Sequence, residues 1–284
     1  MFGDHKSAMK AQKRVYLCAV MDIVLIGSGG VAESLTYSLA QAHTPPYAIV
    51  SPTEGHAERL CRLYAPEAVA LHSLAEVPRE ASIYLFAVSD DVVARCAQEM
   101  PLTSGVWLHT AACVPLETLT ECHEDSGVFY PLNTFSRGRP LALEGVPLFE
   151  EYATEQAHGA IGELALLLGV SPQPSTLALR REIHLAAVFA CNFVNHQWAI
   201  ASELLAHYNI SPAVLHPLIQ ETTQKALTLN PREAQTGPAR RGDEVTLEGH
   251  RKLLADAPSV VRLLYDITSQ SIHTMYHSNE SEDE

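Results

Sequence analysis

Residues 22–35 read DIVLIGSGGVAESL. The short apolar run Ile23–Ile26 breaks at Gly27-Ser28-Gly29-Gly30. Apolar residues then recur at helical spacing in Val31, Leu35, Leu39 and Ala42. This predicts a strand, a tight glycine turn and a helix in immediate succession. Within it, Gly27-x-Gly29-x-x-Ala32 fits G-x-G-x-x-G/A in the context that pattern needs. Glycines let the backbone approach a pyrophosphate, and a helix N-terminus offers free N–H groups and partial positive charge. A tight turn with no ligand is the plain alternative, and the strand-before, helix-after setting favours a dinucleotide. The candidate cofactor contacts here are Gly27, Ser28, Gly29, Gly30, Val31 and Ala32.

A second strand is expected at 47–51 (YAIVS), with a helix over 54–64. An NAD site commonly carries Asp or Glu at the end of this strand to bond the ribose. Here Val50-Ser51-Pro52-Thr53 stands instead, with no acid before Glu54. Ser51 and Thr53 suit a 2′-phosphate, so NADP is favoured over NAD. Arg59 could approach that phosphate or lie on a solvated helix face. Further strands are expected at 68–71, 83–89, 105–110 and 127–132. Asp90-Asp91 should cap the helix VVARCAQEM, and another helix should run over 154–168. Alternating strands and helices argue for an α/β fold, a doubly wound parallel sheet of Rossmann type. In such sheets ligands lie beyond the carboxyl ends of strands, which adds Val88, Ser89 and His109 as candidates near the cofactor. A hydrogen-bonded histidine without function is the alternative for His109.

After Leu177 the pattern changes to helices alone. One is expected over 180–208. A second starts at Ser211-Pro212 and runs to Leu229. A loop at 231–243 leads to helices over 246–254 and 258–276. The expected organisation is a leader at 1–21, with Met21 opening the folded part, a Rossmann domain at 22–177, an all-α C-terminal domain at 178–277 and a solvated acidic tail, SNESEDE, at 278–284.

The formal net charge of -14 and the lack of a basic stripe disfavour a general nucleic-acid role. No apolar run reaches the ~18 residues of a membrane span. The six cysteines form no CxxC pair, which fits a reduced, cytoplasmic protein and suggests no zinc site. The nearest metal-like grouping, His109, Cys113, Cys122 and His123, lacks a ligand motif, and no metal is expected.

Six segments together carry a family resemblance: IGSGGVAESL (26–35), AVSDDVV (87–93), HTAAC (109–113), YPLNTFS (130–136), HLAAVFACNFVNH (184–196) and TGPARRGDEVTLEGH (236–250). In them the chain resembles a bacterial family that pairs a Rossmann-like domain with a helical domain of unknown function, whose members are labelled NADP oxidoreductases. It is more distantly similar to pyrroline-5-carboxylate reductase and to proteins like 6-phosphogluconate dehydrogenase. The resemblance implies a Rossmann sheet followed by a 6-phosphogluconate-dehydrogenase-like helical domain. It names no reaction. Two departures stand out: Val88-Ser89-Asp90 replaces the family's usual Val-Pro-Asp, and His109-Thr110-Ala111-Ala112 replaces its His-Thr-Ser-Gly.

YPLNTF resembles the Pro-x-Asn-Thr turn of pyrroline-5-carboxylate reductase. That implies Pro131 beside the cofactor and Asn133 and Thr134 beside the substrate. On the long helix, at about 100° per residue, His184, Cys191, Asn195, Val188 and Asn192 fall on one face. Polar groups on such a face either satisfy one another or line a site between the domains. In the second case His184 donates a proton to a carbonyl or imine, with Asn192 and Asn195 beside it. Related dehydrogenases use a Lys on this helix, and none occurs here between Arg180 and Lys225. The loop TGPARRGD (236–243) combines Thr236 and Gly237 with Arg240 and Arg241. It reads as a clamp for an anionic substrate, with an Arg241–Asp243 or Arg240–Asp243 ion pair as the alternative and Asp243 as a helix cap.

The expected activity is NAD(P)-dependent reduction of a small anionic carbonyl or imine compound in the interdomain cleft. A non-catalytic NADP sensor or scaffold is the alternative. Related reductases dimerise through the helical domain, which implies a homodimer here.

Overall fold

The structure is a computed structural model that describes residues 21–277. Residues 1–20 of the expected leader and the tail at 278–284 lie outside the described residues. Two compact units divide the chain between Cys191 and Asn192.

In the first unit the apolar runs become strands: β1 (Ile23–Ile26), β2 (Ala48–Val50), β3 (Val69–Leu71), β4 (Ile83–Phe86), β5 (Val106–His109) and β6 (Ser126–Pro131). They pair in the order β3-β2-β1-β4-β5-β6, all parallel. β1, β4 and β5 are buried on both faces because helices cover both sides, so they read as unbroken apolar runs. Alternate residues feed two cores. Ile23, Leu25, Leu85, Leu108 and Phe129 face one side, and Val24, Ile26, Tyr84, Phe86 and Trp107 face the other. The helices of this part are α1 (Gly30–Gln41), α2 (His56–Tyr64), α3 (Asp90–Glu99) and the short α4 (Glu117–Thr120). Asp90 and Asp91 sit inside the first turn of α3 rather than capping it. Ser89 holds the cap position and makes no side-chain capping bond.

Two further strands extend the sheet. β7 (Leu148–Tyr152) runs antiparallel to β6, and β8 (Pro172–Pro174) runs parallel to β7. Between them lies α5 (Glu155–Leu168), capped by Thr154, whose Oγ1 accepts from the Ala157 amide at 3.2 Å. The last α-helix of the first unit is α6 (Leu177–Ala187). Its Arg180 is fully buried and donates to the Glu151 carboxylate, to Ser175 Oγ at 3.4 Å and to the Val114 carbonyl at 3.2 Å. This rivet fixes α6 to β7 and to the segment after β5. Compactness therefore carries the first unit on to Cys191, past the change in sequence character at 177.

The helical run beyond is not a single α-helix. Val188–Phe193 forms a π-helical turn, and α7 (Val194–Ala206) opens the second unit. There follow α8 (His216–Thr228), α9 (Pro231–Ala234), α10 (Pro238–Arg241), α11 (Glu244–Leu253) and α12 (Ser259–His277). The expected loop at 231–243 thus holds two one-turn helices, each with proline at its start. The buried hydrophobic residues among the described part of this unit are Ala239, Leu247 and Leu254. Trp198, Leu218, Leu227, Val260, Leu263 and Ile267 are exposed.

Candidate functional site

The sheet changes direction of growth between β1, which leads to β2, and β4. Beyond the carboxyl end of β1 lies the glycine turn. Gly27 has φ +122°, and a Cβ there would sit 2.2 Å from the Ala87 carbonyl oxygen, so no other residue fits. Gly30 is equally constrained: a Cβ would lie 2.7 Å from the Phe135 carbonyl oxygen and 2.9 Å from the Ser136 amide nitrogen. Gly29 differs. A Cβ on it would enter open space, in front of a helix N-terminus that carries no side-chain cap. The first amides of α1, on Gly30, Val31 and Ala32, are therefore left without a side-chain cap beside open space at position 29. Uncapped amides with the helix dipole behind them are the donors a pyrophosphate needs.

At the end of β2 the acid of an NAD site is replaced by hydroxyls. Ser28 Oγ and Ser51 Oγ are 3.0 Å apart, the Thr53 amide donates to Ser51 Oγ at 3.4 Å, and His56 Nδ1 lies 3.5 Å from Ser28 Oγ. His56 opens α2, whose N-terminus also lacks a side-chain cap. The sequence carried no periodic signal for His56. Two strand ends bring it to this place. Arg59 is spent elsewhere. It forms a two-pronged ion pair with buried Glu33, at 2.7 and 3.2 Å, rather than a phosphate contact or a solvated face.

Glu33 anchors more than Arg59. Its carboxylate also accepts from Tyr64 Oη at 3.1 Å and from the Gly138 amide at 2.8 Å. Burial alone would raise its pKa, but these donors outweigh it and hold the carboxyl below the usual glutamate range. Ser38 Oγ accepts from the Leu143 amide at 3.0 Å, and Ser34 Oγ from the Leu141 amide at 3.4 Å. The segment after β6 is thereby sewn onto α1, which keeps Phe135 and Ser136 against the glycine turn. Pro131 ends β6, and a small hollow of about 250 Å³ is lined by Asn133, Thr134, Ser136, Arg139, Pro140 and Leu141. Asn133 Oδ1 accepts from the Thr134 amide at 2.7 Å and so fixes its own turn.

Along the same carboxyl edge, Val88 is half-buried and Ser89 exposed at the end of β4. His109, at the end of β5, is fully buried and so is not a rim group. Its Nδ1 accepts from the Ala111 amide at 3.2 Å. Burial, and secondarily the Arg180 charge, press its pKa down to about 3 against the opposing pull of the Pro115 carbonyl. It is a core histidine whose Nε2 is buried without a hydrogen-bond partner among the described residues. Tyr130, one residue before the end of β6, places its hydroxyl 3.3 Å from Nδ1 of His184, which is exposed on α6.

The helix read from the sequence as continuous is interrupted between His184 and Asn195. The π turn at Val188–Phe193 takes up an extra residue, so positions beyond it slip by roughly one residue around the axis. Asn192 and Asn195 are exposed and belong to the second unit. In that unit, Arg240 donates to the Gln235 carbonyl and lies 5.1 Å over the Tyr276 ring, turned into its own loop rather than toward an anion. Arg241 is 3.5 Å from Asp243, which caps α11 by accepting from the Thr246 amide at 3.1 Å. Thr236 and Gly237 border an apolar hollow of about 380 Å³ that includes Leu204, Leu247 and Tyr265. Among the described residues no three His, Cys, Asp or Glu side chains cluster to hold a metal, and no helix is long and apolar enough to cross a membrane.

The domain of unknown function DUF2520 matches residues 148–272. No curated protein matches the chain. Among solved structures, a protein from Bacteroides fragilis provisionally described as an NADP oxidoreductase is 36% identical, with 90% of this chain and 99% of that one covered at a TM-score of 0.83. A reductive aminase from Aspergillus terreus, in complex with NADPH and ethyl-5-oxohexanoate, is 13% identical over 88% of this chain and 93% of its own, with a TM-score of 0.64. Pyrroline carboxylate reductase from Plasmodium falciparum, with NADP bound, is 12% identical over 90% and 98%, with a TM-score of 0.52. The last two share the fold, and the first shares the family: the chain belongs to the family of Rossmann-type proteins with a helical C-terminal region that carries DUF2520.

Proposed function

We propose that the chain is an NADP-dependent oxidoreductase that reduces a small anionic carbonyl or imine compound. The observation that carries this is the glycine turn at the switch point. It combines an uncapped α1 N-terminus, an open Gly29 and a hydroxyl–imidazole cluster where an NAD site would hold an acid. Gly27, Ser28 and the first amides of α1 would hold the pyrophosphate, and Ser51, Thr53 and His56 the 2′-phosphate. The B. fragilis relative, described as an NADP oxidoreductase, supports the same reading. When bound, the reduced nicotinamide supplies a hydride. His184, beyond the carboxyl end of the sheet, supplies the proton to the oxygen or nitrogen that receives the new charge.

Calorimetric titration with NADPH, NADH and their oxidised forms tests this. A hydrogen bond to a charged group contributes ~1.5–3 kcal/mol, so NADPH should bind roughly ten- to a hundredfold tighter than NADH. Failure of all four to bind would remove the reading. A non-catalytic NADP sensor is the second reading. It is favoured by Asn133 and Arg240 being engaged in their own turns. It expects the same titration but no turnover with any oxo or imino acid.

The helical unit adds a partner. With Ala239, Leu247 and Leu254 as its buried hydrophobic residues, its core is too small to offset the entropy of ordering its helices. The proposed cover for its exposed apolar side chains is a second copy of the chain. Analytical ultracentrifugation should find a dimer at micromolar concentration, and a monomer throughout would refute this.

A further inference from the structure

Tyr130 is nearly buried, and its hydroxyl meets one side chain among the described residues, His184, at 3.3 Å from Nδ1. Burial, followed by the nearby Cys113 and Asp90, pushes the phenol up to about 12. Tyr130 therefore keeps its proton at neutral pH, and that proton needs an acceptor. Leaving a buried donor unmatched costs ~1–3 kcal/mol, and the Nδ1 lone pair is the acceptor within reach. An imidazole that accepts at Nδ1 carries its own proton on Nε2. His184 is exposed, so this Nε2–H is free to meet a ligand.

Arg181 stands three residues earlier on α6, one turn away and on the same side of the helix. Its Nη2 donates to the Cys113 carbonyl at 3.3 Å, which steadies the guanidinium, and its other N–H groups have no partner among the described residues. Its neighbour Arg180 is buried and donates through Nη1 and Nη2 to the scaffold. A planar fork with free donors is suited to a carboxylate. Arg240, in the arginine-rich loop of the second unit, donates through Nη1 to the Glu233 and Gln235 carbonyls and lies over the Tyr276 ring.

We propose that Tyr130, His184 and Arg181 form the substrate end of the site: Tyr130 is a positioning residue that holds His184 as its Nε2–H tautomer, and Arg181 binds the carboxylate of a small oxo or imino acid. This rests on the oxidoreductase reading and names its substrate class. With NADPH bound, the nicotinamide would supply a hydride to the carbonyl carbon and leave as NADP+, and the C=O π pair would move onto oxygen. That oxygen takes the proton from His184 Nε2. Nδ1 then takes the proton of Tyr130; solvent reprotonates the exposed Nε2, and Nδ1 returns its proton to the phenolate, which restores the phenol and the Nε2–H tautomer. The relay runs downhill because an alkoxide is a stronger base than a phenolate.

Histidine tautomers are read by long-range 1H–15N correlation on protein labelled at histidine, with His184 identified by the signal lost in His184→Gln. The wild type should show His184 as Nε2–H, and Tyr130→Phe should turn it into a mixture of tautomers. An Nδ1–H tautomer in the wild type, or no change in Tyr130→Phe, overturns the role of Tyr130. The carboxylate is tested with oxamate, a non-reducible probe, titrated into NADPH-saturated protein. Arg181→Gln should weaken oxamate roughly tenfold or more while the Kd for NADPH stays within about twofold. Equal oxamate affinity in the variant, or none in the wild type, overturns the carboxylate assignment. Absence of NADPH binding would instead refute the oxidoreductase reading, and the tautomer measurement would remain separately readable.

Discussion

His109 gives the first unit a calculable sensitivity to acid. Folded, its pKa is pressed to about 3 by burial and by the Arg180 charge. Unfolded, it returns to about 6.5. Because the folded value is the lower one, the unfolded chain takes up the proton first. Stability from this group is complete above pH ~6.5 and is lost as pH falls toward 3. The slope is about 1.36 kcal/mol per pH unit, so moving from pH 7.5 to 5.0 should cost about 2 kcal/mol. His109→Asn removes the titrating ring yet keeps an acceptor for the Ala111 amide, which His109 Nδ1 now satisfies. The variant should lose ~1–2 kcal/mol at pH 7.5 through unfilled space. Its stability should then fall with acid by about 2 kcal/mol less than that of the wild type. Trp107 is buried on the same strand, and Trp198→Phe would leave it as the fluorescent reporter of this unit. Urea unfolding at the two pH values, compared as a difference of differences, cancels the other titrating groups. Identical pH dependence in both proteins would show that His109 protonates freely in the folded state and would refute the argument.

Gly29→Ala should leave folding near wild type but weaken NADPH at least roughly tenfold, because the added methyl enters open space that the pyrophosphate would occupy; unchanged affinity by calorimetry would exclude the turn as the pyrophosphate site. Gly30→Ala should instead lower stability by ~1–3 kcal/mol, since its Cβ meets the backbone of Phe135 and Ser136, and a thermal melt would read this. Glu33 has its folded pKa lowered, so its contribution is present above the ordinary glutamate value of about 4.3 and is lost as pH falls through the lowered one. Glu33→Gln should flatten that acid limb in a pH series of unfolding curves. Asp243→Ala should remove the cap of α11 and lower the melting temperature by a few degrees, as a calorimetric scan would show.

The strands and glycines of the first half were legible because each expressed its physics locally. DIVLI and IYLF are doubly buried strands, and an apolar run says so directly. β7 and β8 gave no such signal. Leu148–Tyr152 carries two glutamates, and Pro172–Pro174 is two-thirds proline, so only pairing with neighbours far along the chain makes them strands. The site divided in the same way. Gly27, Gly29 and Gly30 were readable from spacing, whereas His56, Tyr130 and Arg181 acquire meaning from partners 28, 54 and 68 residues away. His109 misled because its position at a strand end was visible, while its burial depends on the packing of other segments. The regular period assumed between His184 and Asn195 is broken by a π turn that no residue type announces.

The π turn at Val188–Phe193 can also be viewed as genetic arithmetic. A π turn is an α-helix holding one residue too many for its hydrogen-bond register. Deleting a single residue there would restore the α register and swing every side chain of α7 about 100° around its axis. Substitutions can change what that helix displays one position at a time. One lost codon would exchange its entire outward face at once while leaving its composition intact.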